Sequence, residues 1–130
     1  GTLRNLAVND ENKAHMAAES DAIPVLINLL QDGNVEVRSI AADALMIIAI
    51  HNANKIKIAE ANAIPPLIEL LRDDNPVVRS SAIGALSMLV RNTNNMKLLL
   101  SKLNTPSVAL NEFPECKDFL KKVNKHRKWF

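Results

Sequence analysis

The chain has 130 residues, of which 48% are hydrophobic and 23% charged, and its formal net charge is +2. These values are typical of one globular domain, and no apolar run approaches the roughly 20 residues of a membrane-spanning helix. Aromatic residues make up only 3% of the chain and tyrosine is absent, which disfavours a β-sandwich or barrel and favours helices packed through aliphatic side chains.

Charge and cysteine content restrict the setting in which the protein works. Residues 117–130 carry six Lys or Arg against one Asp, whereas residues 1–116 carry ten against thirteen Asp or Glu. We expect the basic segment to solubilise a terminal helix, and contact with nucleic acid or an anionic membrane is the alternative. The single cysteine, Cys116, cannot form an internal disulfide. With no leader segment at the start of the chain, a cytoplasmic location is expected, and the nucleus is the alternative.

The first residues in chain order, 1–9, resemble the end of a helix that occurs again later. When the chain is aligned with itself so that Leu3 falls on Leu45, Leu6 falls on Ile48. We therefore expect the chain to begin inside a repeat. We expect self-association through the exposed N-terminal edge of such a truncated repeat, because a repeat buries its apolar face only against its neighbours.

The next segment occurs twice, first at residues 22–55 and again at residues 63–96. The shared landmarks are Ile-Pro at 23 and 64, Leu-Leu at 29 and 70, Val-Arg at 37 and 78, and Ala-Leu at 44 and 85. The spacing between the two members is the same for every pair. A fixed period of this length predicts a solenoid of stacked helical units.

Each unit is predicted to contain three helices. The first covers residues 12–20 and 54–61, the second 24–31 and 65–72, and the third 35–50 and 76–91. Asn34 and Asn75 are suitable N-caps for the third helices. Apolar residues at intervals of three and four predict a buried stripe, with Leu45 and Leu86 at equivalent positions. We expect the arginines at 38 and 79 to bind helix-end carbonyl groups.

The pattern changes after residue 103. Residues 94–103 match another first helix, residues 104–113 match no second helix, and residues 114–127 are predicted to form one amphipathic helix with a basic face. Terminal repeats need a polar outer face, so residues 104–130 are interpreted as a cap. The single domain, 1–130, is thus divided into the end of a repeat at 1–9, repeats at 10–51 and 52–92, and a partial repeat with its cap at 93–130.

The Ile-Pro before the second helix and the run VRSIAADAL at 37–45, with its counterpart VRSSAIGAL at 78–86, resemble the armadillo repeat family. The resemblance covers residues 3–103. It implies an all-α, right-handed solenoid with three helices in each unit of about 41 residues, closed by a divergent capping helix. It also implies a non-enzymatic scaffold that binds a peptide or a helix of another protein along a concave groove lined by third helices.

Projected onto this sequence, the groove comprises ten residues on one side of the third helices and the loops that follow them: Asn5, Asn9, Ile40, Asp43, Ile47, His51, Ser81, Gly84, Met88 and Asn92. Nuclear-import adaptors of the family carry a ladder of Trp and Asn there, of which only Asn5 is kept. This departure disfavours an import adaptor, and an apolar or amphipathic protein segment is the expected ligand. The first alternative to a scaffold is a chaperone cofactor similar to armadillo-like nucleotide-exchange factors, and an import adaptor ranks third.

No residue pattern indicates catalysis or a cofactor. The three histidines, His15, His51 and His126, lie in different units without Cys, Asp or Glu at ligand spacing, so no metal site is expected. The three glycines, at positions 1, 33 and 84, form no phosphate-binding loop. No Ser, His and Asp arrangement lies on a recognisable nucleophile turn. We therefore expect neither an enzyme nor a bound cofactor.

Overall fold

The computed structural model describes residues 18–103 and 113–129, and within these ranges it contains helices and no strand. The described part of the first helix, α1, covers residues 18–29. Six helices follow: α2 Val35–Ile48, α3 Asn52–Glu60, α4 Ile64–Leu70, α5 Pro76–Leu89, α6 Thr93–Leu103 and α7 Pro114–Asn124, with a final 3₁₀ turn at Arg127–Trp129. The all-α prediction is confirmed for these ranges. None of their helices is long and apolar enough to cross a membrane.

Asparagine caps begin both third helices, α2 and α5, as predicted. Asn34 accepts hydrogen bonds from the backbone N–H of Glu36 at 2.8 Å and of Val37 at 3.3 Å. Asn75 accepts one from the N–H of Val77 at 2.8 Å. These bonds satisfy donors that the first turn of a helix leaves without a helical partner. The two helices consequently start at equivalent positions of the two copies, and each runs for 14 residues.

Both third helices end two residues earlier than predicted, because a buried asparagine of the next helix binds the final carbonyl group. Asn54 donates from Nδ2 to the carbonyl of Ile48 at 3.1 Å, and Asn95 donates to that of Leu89 at 3.0 Å. Asn95 also donates to the carbonyl of Lys55 at 3.0 Å, which ties α6 to α3. The two asparagines are buried at equivalent positions, so each joins the end of a third helix to the following first helix.

The first copy departs from prediction at Pro24. The sequence predicts separate helices over 12–20 and 24–31. Residues 12–17 lie outside the described part. Residues 18–29 form one uninterrupted helix. In the second copy α3 and α4 are separate, because Asn62 adopts a left-handed φ of 69° and turns the chain. Asp21 stands at the equivalent position, and this conformation is more typical of asparagine at a helix end. Pro24 therefore lies inside a helix at the cost of one backbone hydrogen bond.

The core lies where the repeated leucines meet. Leu45 and Leu86 are both 0% exposed, which confirms that they occupy equivalent buried positions. α2 and α5 pack side by side, and the hydroxyl groups of Ser39 and Ser81 share a hydrogen bond of 2.9 Å in the contact between them. Small side chains at this contact let the two helices approach closely, so the repeated third helices form one continuous packed layer.

Arg38 links the first copy to the second. Its Nη1 donates to the carbonyl of Asp32, in the turn before α2, at 2.8 Å. Its Nε donates to the carboxylate of Asp73, in the corresponding turn of the next unit, at 3.0 Å. Arg38 thus binds a turn carbonyl, whereas the sequence predicted a helix-end carbonyl.

Arg79 repeats this arrangement at the next joint. Its Nη1 donates to the carbonyls of Asp73 at 2.7 Å and of Asp74 at 3.0 Å. Its Nη2 lies 2.9 Å from the carboxylate of Glu115 on α7, and its guanidinium lies 3.8 Å from the centre of the Phe113 ring. Glu115 of α7 thus pairs with Arg79 as Asp73 of the second copy pairs with Arg38. One arginine per unit therefore binds the neighbouring unit.

α7 begins as α5 does. Pro114 and Pro76 each occupy the first helical turn, where a missing N–H costs nothing, and the second residue after each proline is fully buried. α7 packs against α5 and α6. The predicted amphipathic helix is confirmed from Pro114, although it ends at Asn124, three residues early. The preceding segment, 104–112, lies outside the described part. The buried side chains of α7 are Cys116, Phe119 and Val123.

Labelling of Cys116 should report whether α7 is docked. The thiol is fully buried and donates to the carbonyl of Leu71 at 3.3 Å. Burial, and then the charge of Glu115, raise the pKa of the Cys116 thiol above its ordinary value, so little thiolate forms at neutral pH. We expect Ellman's reagent to react slowly with the native protein and rapidly in denaturant. Because the chain has one cysteine, equal rates in both conditions would contradict a docked α7.

Candidate functional site

The predicted groove residues of the first copy lie on an open side of α2. Ile40 and Ile47 are 65% and 60% exposed. His51, which follows α2, is also exposed, and Asp43 is half-buried between the two isoleucines along the helix. The predicted Asn5 and Asn9 lie outside the described residues. For α2, therefore, the structure places four of the predicted residues on or beside one accessible surface.

The corresponding prediction for α5 is wrong, because that side of α5 packs against α2. Ser81 is buried and bonded to Ser39. A β-carbon on Gly84 would lie 2.9 Å from the Met46 sulfur, so glycine permits the close approach of α2. Met88 is half-buried and packs against the core. These three residues belong to the joint between units and do not line an open groove.

The covered and open surfaces occupy equivalent positions of the repeat. Residues 81, 84 and 88 of α5 correspond to residues 40, 43 and 47 of α2. The side that holds a neighbouring helix on α5 is thus presented to solvent on α2, with isoleucine at positions 40 and 47. No described residue stacks on α2 as α2 stacks on α5. On α5, this side of the helix contacts another α-helix, namely α2.

Ile50 extends the exposed surface. The sequence analysis assigned His51 to the groove and did not include Ile50. Ile50 is 60% exposed and lies in the turn after α2, three residues beyond Ile47. We refer to Ile40, Asp43, Ile47 and Ile50 as the α2 stripe. A shallow depression of about 260 Å³ adjoins it between the N-terminal ends of α2 and α5, where Val77 is also exposed.

Asn92, one of the predicted groove residues, caps the first turn of α6. Its Oδ1 accepts a hydrogen bond from the backbone N–H of Asn95 at 3.0 Å, in the first turn of α6. This capping bond occupies the amide oxygen of a half-buried side chain. The amide oxygen of Asn92 is therefore engaged in capping α6, and its ligand-binding role stays a prediction.

The chemistry available on the α2 stripe is that of binding. Its surface is apolar apart from the carboxylate of Asp43, which makes no hydrogen bond or ion pair with a residue of 18–103 or 113–129. No group of three or more metal-ligating side chains occurs among the described residues. The stripe can bury isoleucine side chains and pair one cation, and it offers no nucleophile or acid–base pair.

Comparisons with known proteins agree with the helical repeat architecture. A sequence model of the family described as HEAT repeats matches residues 2–87, about two-thirds of the chain. U-box domain-containing protein 12 of Arabidopsis thaliana is 35% identical over 57 residues, which cover 44% of this chain. The matched segment spans only 9% of that relative's length. On the family match and the stacked helices together, this chain belongs to the HEAT repeat family.

Proposed function

We propose that the protein is an interaction module that binds an amphipathic helix of a partner protein along the α2 stripe. HEAT repeats commonly serve as scaffolds for protein interactions and are generally non-enzymatic. The observation that carries the proposal is the equivalence of the α2 stripe to the side of α5 that already holds a helix. Contiguous exposed apolar surface of this kind usually marks a binding site.

We further infer that the second unit has the armadillo form of the helical repeat. Armadillo units contain three helices and HEAT units contain two. The left-handed Asn62 divides the segment before α5 into α3 and α4, which makes three helices in this unit. The uninterrupted helix at residues 18–29, followed by α2, is closer to the two-helix form. One chain thus combines both forms of the repeat.

The partner helix should carry one Lys or Arg between apolar side chains. In the joint between α2 and α5, Met46 of α2 lies against Gly84. Asp43 is the equivalent of Gly84 on the open side, so a cation at the position of Met46 would meet a half-buried carboxylate. Such a pair favours a specific register of the bound helix. A strongly basic ligand is disfavoured, because the stripe has a single acidic residue.

A peptide taken from the chain itself provides a defined probe. We would use a helix-stapled, fluorescent peptide of residues 34–51 with Met46→Lys, which presents the α2 surface that packs on α5 together with a cation for Asp43. We expect saturable binding in fluorescence anisotropy. The double variant Ile40→Glu with Ile47→Glu should weaken binding by about tenfold or more, since both anchors would be charged. A probe with Met46→Glu should bind more weakly to the native protein.

Two comparisons make this test decisive. The control variant, Val25→Glu with Ile56→Glu, places the same charges on exposed apolar residues elsewhere and should bind as the native protein does. Circular dichroism should show that the stripe variant stays folded, because both replaced side chains are exposed. Unfolding of that variant would show that the stripe is core, covered by residues outside the described part. Self-association removed by the stripe variant in sedimentation would identify a second copy as the occupant.

A further inference from the structure

A second concave surface lies at the opposite end of the described chain, where α5, α6 and α7 meet. This cleft has a volume of about 390 Å³. Its floor consists of side chains that are 7%, 4% and 3% exposed, namely Met96, Phe119 and Val123. Val90, at the end of α5, forms part of the wall. The interior is therefore apolar and large enough to accept a side chain such as leucine or phenylalanine.

The rim of the cleft is basic. Arg91, Lys122 and His126 line it and are exposed. Neither Arg91 nor Lys122 makes an ion pair with a described residue, in contrast to Arg38 and Arg79, whose guanidinium groups hold carboxylates. The segment 117–130, which includes Lys122, carries six Lys or Arg against one Asp. The mouth of the cleft therefore lies in a positive electrostatic potential, which favours an anionic ligand.

We propose that this cleft binds an acidic segment of a partner protein, with one large apolar side chain inserted between α5 and α7 and flanking carboxylates on the rim. Apolar anchors in a recessed pocket dominate peptide affinity, whereas paired charges at the rim set specificity and register. Arg91 provides the planar donor group that pairs best with carboxylates. This surface is separate from the α2 stripe and selects the opposite partner charge, so it extends the proposed function.

A protein segment fits the cleft better than an anionic membrane does. A membrane surface would attract the lysines at the cleft and those on the other surface of α7 equally, because its charge is spread over a plane. The apolar floor, by contrast, is recessed between three helices and accepts a projecting side chain. The other surface of α7 makes the distinction testable: Lys117 and Lys121 are exposed on it and line a separate depression with Pro114 and Leu120.

The probe is a short fluorescent peptide with one central phenylalanine flanked by glutamates, measured by anisotropy against the full chain. We expect Arg91→Glu with Lys122→Glu to weaken binding by at least about tenfold. The matched control, Lys117→Glu with Lys121→Glu, reverses the same number of charges on the other surface of α7. It should change affinity by less than about threefold. Replacing the central phenylalanine of the probe by alanine should also weaken binding by about tenfold or more.

Four results would overturn the proposal. Equal losses from the two charge-reversal pairs would indicate general attraction to the basic segment. An alanine probe that binds as well as the phenylalanine probe would show that nothing enters the cleft. Preferential binding to phosphatidylserine vesicles, lost equally in both variant pairs, would identify an anionic membrane as the ligand. Absence of binding to the native chain would indicate that the cleft is occupied by another part of the protein. We expect the thermal unfolding midpoint of each variant to be close to that of the native protein, as a control for folding.

Discussion

Replacement of Leu86 by alanine is expected to lower the free energy of unfolding by about 2–5 kcal/mol. Leu86 lies in the middle of α5 with 0% exposure, in the layer where α5 packs on α2 and α4. Helices held on two sides cannot collapse fully into the space of the missing methyl groups, so a cavity remains and its lining loses contacts. A domain of this size is stable by roughly 5–15 kcal/mol, so the change should be large in urea denaturation.

Two leucines in the same chain calibrate this result. Leu45→Ala, at the equivalent fully buried position of α2, should cost a similar amount. Leu98→Ala, on α6, removes the same atoms from a side chain that is 36% exposed and should cost less than about 1 kcal/mol. A midpoint shift without a change in the urea dependence would show that the substitution changed stability and not the surface exposed on unfolding. If Leu86→Ala proved no more costly than Leu98→Ala, the position assigned to α5 would be wrong.

Replacement of Arg79 by methionine should destabilise the protein by about 2–3 kcal/mol, because two turn carbonyls lose charge-assisted hydrogen bonds. The side chain is buried, and the same guanidinium also contacts Phe113 and Glu115. Methionine keeps the apolar stem but offers no donor. We expect α7 to be released first, which makes Cys116 reactive towards Ellman's reagent before the remaining helices unfold.

The equivalent arginine of the first copy serves as the internal comparison. Arg38 binds one turn carbonyl where Arg79 binds two, and its side chain is 18% exposed against 9%. Arg38→Met should therefore cost less, about 1–2 kcal/mol. It should also leave Cys116 protected, since Arg38 does not reach α7. Equal thiol exposure in the two variants would contradict the assignment of Arg79 as the link between α5 and α7.

The pH dependence of α7 docking follows from Glu115. A backbone N–H bond and then the Arg79 guanidinium hold the pKa of the Glu115 carboxyl below its ordinary value, since both favour the charged form. A lowered folded-state pKa stabilises the protein above the unfolded pKa, and this contribution is lost as pH falls through the folded one. Thiol exposure of Cys116 should therefore rise on acidification. The Glu115→Gln variant should show a smaller rise, with part of the exposure already present at neutral pH.

The internal repeat determined the helices, their caps and much of the core from sequence alone. Asn34, Asn75, Leu45 and Leu86 were correctly placed because capping and burial at 3–4 spacing depend on residues within a few turns of one another. The breaks were less predictable. Asp21 and Asn62 occupy equivalent positions before an Ile-Pro pair, yet only Asn62 adopts the left-handed conformation that divides two helices.

Only the tertiary structure decided which side of each third helix is free. Ile47 and Met88 occupy equivalent positions of the repeat, so the sequence pattern predicts the same environment for both. Met88 is covered because α2 precedes α5 in the stack, whereas no described helix precedes α2 in the same way. The basic cleft likewise joins Arg91 and Met96 to Lys122, across a segment with no recognisable pattern. Spacing along the chain specifies the faces of one helix, but exposure depends on neighbours that are distant in sequence.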